Sequence, residues 1–432
     1  MTTWRTLPPA VLWKFAAVLA TRFLASAASM MVAPYLVVRF TQVLRLQPYQ
    51  AVLLASVVVI GGRLFSKPVG AYADRYPGVA LSLLSLVGAA VSTALLLLVG
   101  EASNLAVAAL ACIGLSLSGA TFTLTVRAFI VRIFSKGYLT LVVATSSVIF
   151  NLGMFAGATA AGLLLHAGQS NAMIVSAVAC YLLAACVLGL SARSEKSSVV
   201  HSTGGSLSEG ASVPSPDHSQ SQLPRAALEA LSLTYSTTGF LVTTVSLALA
   251  AYCAQSLGSA ELASIFYSTQ SLALVAALPL AGLLTRDAGV RTLGRLYFLG
   301  QLFAALGFVG FGLAPNSVPL MAVGVLALAF GLSQMLSIPT ADPLLSRLFG
   351  RERTGKIFGA MTSASAKGAL VACGVNAATL QWLAPSLKWM MWAVPGVVAA
   401  IFVGIAAIRW FKVLPSLEPP QLNSALTTTA GA

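Results

Sequence analysis

Charged side chains are scarce. Of 432 residues, only 8% are Asp, Glu, Lys or Arg, while 58% are hydrophobic. A soluble domain carries roughly 25% charged and roughly 45–50% apolar residues. A chain this poor in charge cannot clothe a water-facing surface, which excludes a cytosolic enzyme, a secreted domain and a disordered scaffold. Histidine is rarer still: His166, His201 and His218 are scattered and form no metal site. The five cysteines (Cys112, Cys180, Cys186, Cys253 and Cys373) include no CxxC pair and sit in apolar runs. They read as small hydrophobes rather than as a disulfide or metal set. Strand-like alternation is missing, so a porin-type barrel is excluded. A nucleotide loop, paired carboxylates and a Ser/His/Asp set are also missing. Neither an enzyme, nor a cofactor, nor driving by ATP is expected.

What is present is a series of long apolar runs. Twelve spans are expected, near 11–36, 49–66, 79–99, 104–128, 138–165, 171–192, 228–254, 261–284, 291–313, 317–341, 355–383 and 388–411. A helix needs about 20 residues to cross the hydrocarbon core. The first run is too long for a cleavable signal peptide and continues as an ordinary span. The fold class is therefore an all-α membrane protein, with twelve transmembrane helices in two pseudo-symmetric six-helix bundles. The expected organisation is an N-terminal bundle over 1–192, a flexible linker over 193–227, a C-terminal bundle over 228–412 and a tail over 413–432. The linker is Ser- and Gly-rich and poor in aromatics, a composition that cannot bury a core.

Lys and Arg number 25 against 11 Asp and Glu, a net charge of +14. Basic residues gather in cytoplasmic loops. With both termini cytoplasmic, only Arg39, Arg45 and Lys388 fall outside. A multi-pass cell-membrane protein in that orientation is expected, in the inner membrane if the source is Gram-negative. No basic stretch interleaves with aromatics, so nucleic acid is not an expected partner.

The two halves echo one another. Pro68, Arg75, Gly78 and Val79 align without a gap with Pro279, Arg286, Gly289 and Val290. Arg132-Ile-Phe134 is echoed by Arg347-Leu-Phe349. Such repetition marks secondary transporters, whose substrate site lies between the halves near the midplane. The loop after the second span reads Gly70-Ala-Tyr-Ala-Asp74-Arg75-Tyr76-Pro77-Gly78. The fifth span holds Gly153-Met-Phe-Ala-Gly157-Ala158-Thr-Ala-Ala161-Gly162. On these motifs and the 6+6 layout the chain resembles the major facilitator superfamily over nearly its whole length. The span-five motif is similar to one associated with antiporters. The resemblance implies that Asp74 and Arg75 belong to a gating loop. It also implies that Asp74 pairs with Arg127, and the repeat places Arg286 and Asp342 as a charge-swapped counterpart. Gly153, Gly157 and Gly162 are the matching gating-helix glycines. An Arg that many proton-coupled members carry early in span four is missing here.

Ionisable groups within spans are costly and usually mark a pathway. Arg22 lies about twelve residues into the first span, or roughly 18 Å at 1.5 Å per residue. Lys367 lies about as deep in the eleventh. Ser26 and Ser29 follow Arg22 at helical spacing, and Ser363 precedes Lys367 by one turn. None of the eleven acids lies deep in a span. A cavity with two cations and no acid repels cations and favours an anionic or zwitterionic solute. Tyr35, Asn151, Gln270 and Gln334 are further candidate lining residues, each alternatively a helix–helix hydrogen bond. The expected function is secondary active transport of a small anionic or zwitterionic metabolite by alternating access, as an exporter. The alternatives are import of an organic acid or phosphate ester, and a non-transporting membrane sensor or scaffold. Expected partners are that solute, protons as coupling ion, and membrane lipid, with the protein a monomer.

Overall fold

Hydrocarbon offers a backbone no partner, so each N–H and C=O must be satisfied within the chain. The apolar runs meet that demand as helices in the computed structural model. It describes residues 9–64, 78–99, 105–133, 136–196, 225–285, 288–314, 317–349, 354–383, 387 and 389–417. The first span is α1 (Pro9–Val32), a 3-10 turn (Ala33–Tyr35) and α2 (Leu36–Val43). Spans two to six are α3 (Pro48–Leu64), α4 (Gly78–Leu95), α5 (Leu105–Ile133), α6 (Lys136–His166) and α7 (Ser170–Lys196). Spans seven to twelve are α8 (Arg225–Ser256), α9 (Leu262–Thr285), α10 (Val290–Leu313), α11 (Pro319–Phe349), α12 (Thr354–Trp382) and α13 (Met390–Leu417). No strand occurs among the described residues, and nine helical stretches there are long and apolar enough to cross a membrane.

Several boundaries differ from expectation. The first span was expected to end at 36, but its helical path runs from Val11 to Val43. Pro34 cannot donate a backbone hydrogen bond, and the helix tightens to 3-10 form there and resumes as α2. Arg39, expected in an outer loop, is consequently a helical residue and is buried. Helix α7 runs to Lys196 and α8 starts at Arg225, so helix enters both ends of the expected linker. The last helix continues to Leu417, past the expected boundary at 412.

Within the first half, α1 packs on α6 and α7, α4 packs on α5 and α7, and α3 packs on α5. Within the second, α8 packs on α12 and α13, α10 on α11 and α13, and α9 on α11. Span for span, the second set is the first repeated. Two main seams join the halves, α6 with α9 and α3 with α12, and the end of the first span also packs on α8. Exchanging the halves turns one seam into the other, the pattern a two-fold axis along the membrane normal produces.

Lipid is as apolar as leucine, so helices associate there by close packing rather than by escape from water. Glycines provide the approach. A Cβ on Gly153 would meet Ser26 and the Phe23 carbonyl, and one on Gly157 would meet the Ala27 backbone. In the second half, Gly368 faces the Ser236 carbonyl and Gly239 faces the Ser365 carbonyl. The register that sets Arg132 beside Arg347 also sets Gly153 beside Gly368. The cores differ in texture. The first half buries small residues such as Ala51, Ala108, Ala111, Ala158 and Ala161. The second sets Phe311 edge-to-face with Trp392 at 4.9 Å between ring centroids, and tilts Phe308 against Trp392 at 5.3 Å. Exposed Val394, Val397, Ile401, Ile405 and Ile408 recur along α13 and suit a lipid-facing side.

Replacing Gly157 or Gly368 with Val should lower the apparent melting temperature of detergent-purified protein. Overpacking of this kind costs about 1–3 kcal/mol. Gly374→Ala, where the new methyl group meets open space, should leave melting unchanged. Equal effects at the three sites would refute the packing account.

Candidate functional site

Two cavities occupy equivalent places in the halves. The first, of about 280 Å³, lies among α1, α3, α4, α5 and α6. Its hydroxyls come from Ser26, Ser29, Ser85, Ser116, Ser118 and Thr123, and its apolar wall includes Met30, Phe122, Phe150 and Met154. The second, of about 240 Å³, lies among α8, α10 and α11, with Thr238, Gln301, Ser333, Gln334 and Ser337 in its wall. The Thr238 hydroxyl donates to Gln301 Oε1 at 2.7 Å. The echo of Arg132 by Arg347 carries Ser118 onto Ser333 and Gly119 onto Gln334. Among the described residues, no carboxylate lines either cavity.

Arg22 is half-buried at the edge of the first cavity. Its Nη1 donates to Ser146 Oγ of α6 at 2.5 Å, and its guanidinium lies 5.4 Å from the centroid of the Phe150 ring, which lines that cavity. A buried hydroxyl and a ring face both hold the cation within the first half. Ser26 and Ser29 line the same cavity, although the Ser26 hydroxyl donates to the Phe23 carbonyl. Gln334 lines the second cavity.

The other expected lining residues lie elsewhere. Lys367 and Ser363 are exposed on one stripe of α12 with Leu370, Val371 and Gly374. Gly368, next in sequence, faces α8, and Ser365 faces both α3 and α8. Lys367 lies outside the walls of both cavities. Asn151 is buried and its side chain donates to the Ser147 carbonyl one turn back, at 2.8 Å. It is a helix-bound amide, not a lining residue. Gln270 is buried in α9, beside Gly331 of α11. Tyr35 is buried in the 3-10 turn where the first span packs on α8 of the second half. Among the gating candidates, Asp74, Arg75 and Arg286 lie outside the described residues. Arg127 and Asp342 lie in α5 and α11, with side chains outside the described set. Gly153 and Gly157 pack on α1, while Gly162 packs on Ser264 across the α6–α9 seam.

That seam closes the end opposite the linker. Thr159 and Ser268 share a hydrogen bond of 2.9 Å, and further out His166 Nδ1 lies 3.0 Å from Glu261 Oε2. The other seam holds a residue not singled out from the sequence. Arg63, in α3, donates through Nη1 to Ser365 Oγ at 3.2 Å, the Ser365 carbonyl at 3.4 Å and Thr243 Oγ1 at 3.5 Å. Its signal was its position inside the second span, directly after Gly61-Gly62. Arg39 is the other cation that the sequence misplaced. It is 7% exposed, and Nη2 donates to the Leu96 carbonyl at 3.0 Å and to Asn171 Oδ1 at 3.1 Å. It ties α2 to the ends of α4 and α7.

The Major Facilitator Superfamily model matches residues 18–216. Among solved structures, the peptide transporter POT in complex with sulfate superimposes with a TM-score of 0.71 at 13% identity, covering 97% of each chain. A POT mutant in complex with alafosfalin gives 0.71 at 14% identity, covering 94% of this chain and 96% of the other. A bacterial homologue of the human lysosomal transporter Spinster, inward-facing and unoccupied, gives 0.67 at 15% identity, covering 96% and 100%. No curated protein matches by sequence. The chain thus resembles the Major Facilitator Superfamily in sequence over residues 18–216 and shares the fold of these transporters across both halves.

Removing Arg39 strands two acceptors at once. Arg39→Met should destabilise the detergent-purified protein by about 1–3 kcal/mol, and Asn171→Ala by less, since the Leu96 carbonyl keeps its donor. Thermal unfolding checks this, and an unchanged Arg39→Met would show that the tie carries no stability.

Proposed function

We propose that the protein moves a small anionic or zwitterionic organic solute across the cell membrane by rocking of its two halves, in the direction of export. The observation that carries this reading is the pair of equivalent cavities, one edged by Arg22 and neither lined by a carboxylate among the described residues. Two unit charges 4 Å apart interact by about 4 kcal/mol at an effective dielectric of 20. A cation there attracts an anion and repels another cation by that order. Lys367, on its exposed stripe, no longer supports the reading. The sign preference rests on Arg22.

The bias of basic residues toward the linker side supports cytoplasmic termini. In that orientation the His166–Glu261 end is extracytoplasmic and closed. The glycine motif Gly153, Gly157 and Gly162, which resembles that of antiporters, supports export. The charge-swapped latches Asp74–Arg127 and Arg286–Asp342 belong to the same proposal. They would close the cytoplasmic end when the cavity faces outward. Surface pairs are worth little by themselves, but two global states a few kcal/mol apart are readily biased.

Proteoliposomes loaded with organic acids and phosphate esters test the reading by counterflow. Arg22→Ala should cut anion flux by about tenfold or more, the weight of one charge-assisted hydrogen bond. Flux that ignores Arg22→Ala would refute an anionic cargo, and inward-only flux would refute export. For the latches, reversing Asp74 or Arg127 alone should slow transport, and reversing both should restore it. Failure to restore would refute direct pairing.

A further inference from the structure

Six hydroxyls line the first cavity, and three of them are taken up within their own helices. Ser26 donates to the Phe23 carbonyl, Ser85 to the Ser82 carbonyl and Thr123 to the Gly119 carbonyl. Ser116 of α5 differs. It is 3% exposed, and its Oγ has no hydrogen-bond partner among the described residues. Buried polar groups are almost always paired, so an orphan hydroxyl in a cavity wall points to a ligand. Helix α3 makes the room. Gly61 faces the Ser116 hydroxyl, and Gly62, which also lines the cavity, faces the Ser116 carbonyl. Much of the remaining wall is soft and apolar: the rings of Phe122 and Phe150 and the thioethers of Met30 and Met154. The register that carries Ser118 onto Ser333 carries Ser116 onto Gly331 and Phe150 onto Ser365. At the matching positions the second half has neither that hydroxyl nor that ring.

We propose that this cavity is a ring niche inside the first half, which takes an aromatic body of the solute and hydrogen-bonds its edge through Ser116. The niche rests on the anionic-cargo reading and narrows it to aryl carboxylates. Its volume is about 280 Å³. An apolar cavity of about 150 Å³ takes up benzene, so this one suits a fused pair of rings, or one ring with a short chain. Thioethers and phenyl rings both make favourable contacts with an aromatic guest. The Ser116 hydroxyl can accept from a ring N–H or donate to a ring oxygen or nitrogen. Phe150 orients the guest. Its ring lines the niche, and the Arg22 guanidinium lies over that same ring. A guest ring packed beside Phe150 therefore leaves its carboxylate on the Arg22 side. A compact aliphatic diacid would leave the rings, the thioethers and Ser116 unused.

Thermal-shift titrations of the purified full-length protein in detergent test the niche, with indole-3-acetate, indole and succinate as probes. Indole-3-acetate should stabilise the wild type at about tenfold lower concentration than succinate, because it alone of the two acids buries a ring. Ser116→Ala should weaken indole-3-acetate a few-fold, as loss of one hydrogen bond does. The same change should not lower the melting temperature of the ligand-free protein, since it removes an orphan hydroxyl. Met154→Ala should weaken indole-3-acetate more than it weakens succinate. Comparison of variant with wild type cancels the share of each probe lost to micelles. Indole-3-acetate that binds no tighter than succinate, or that ignores both substitutions, overturns the niche. If succinate still needs Arg22 in that case, the anionic reading stands alone. Indole that matches indole-3-acetate and ignores Arg22→Ala means the reverse: the ring seat holds and the anionic cargo falls. A wild type stabilised by none of the three probes overturns the niche.

Discussion

Backbone-to-backbone approach at glycine is the constraint on which this architecture depends. Inside lipid, burying a leucine gains little, because lipid is already apolar. What holds α6 against α1 is contact too close for a side chain at Gly153 and Gly157. The same approach holds α12 against α8 at Gly239 and Gly368. These pairs fix the helices that carry the polar groups. Arg22 reaches Ser146 because α1 and α6 lie so close, and Ser365 reaches Arg63 because α12 presses on α8.

The halves share a plan but not a chemistry. The first buries few aromatic rings and edges its cavity with a cation. The second is packed with aromatic rings and lines its cavity with amides and hydroxyls. A duplicated scaffold therefore offers unlike walls to whatever sits between them. On the proposed reading the first half adds a charge to its hydroxyls, while the second offers neutral hydrogen bonding alone.

The fold was largely legible in the sequence, because hydropathy and length are local properties that lipid enforces residue by residue. The repeat was legible where glycine and arginine recur at fixed spacing. The site was legible only in part. Depth in the bilayer follows from residue count, and by that count Arg22 is deep. Azimuth does not follow from depth. One helical position, about 100°, separates the face of Gly368 from that of Lys367, and only packing decides which side of α12 meets α8. Asn151 was invisible for a different reason: a polar side chain can satisfy itself on its own helix. Arg63 was overlooked beside a span end, although its seam position is where two bodies meet. Arg39 was misplaced because Pro34 looks like a terminator, whereas a 3-10 turn carries the helix past it.

The length of the first span has its own consequence. From Val11 to Val43 it counts 33 residues, or about 50 Å as helix against about 30 Å of hydrocarbon. With α2 tied to α4 and α7 through Arg39, the far end of this long span is held against the rest of the first half. At the helix ends His166 is largely exposed beside Glu261, while Arg63 meets Ser365 in the partly buried seam between the halves. Ions screen the first contact over a Debye length of about 8 Å and scarcely reach the second. A change of ionic strength thus acts on the exposed contact far more than on the buried one.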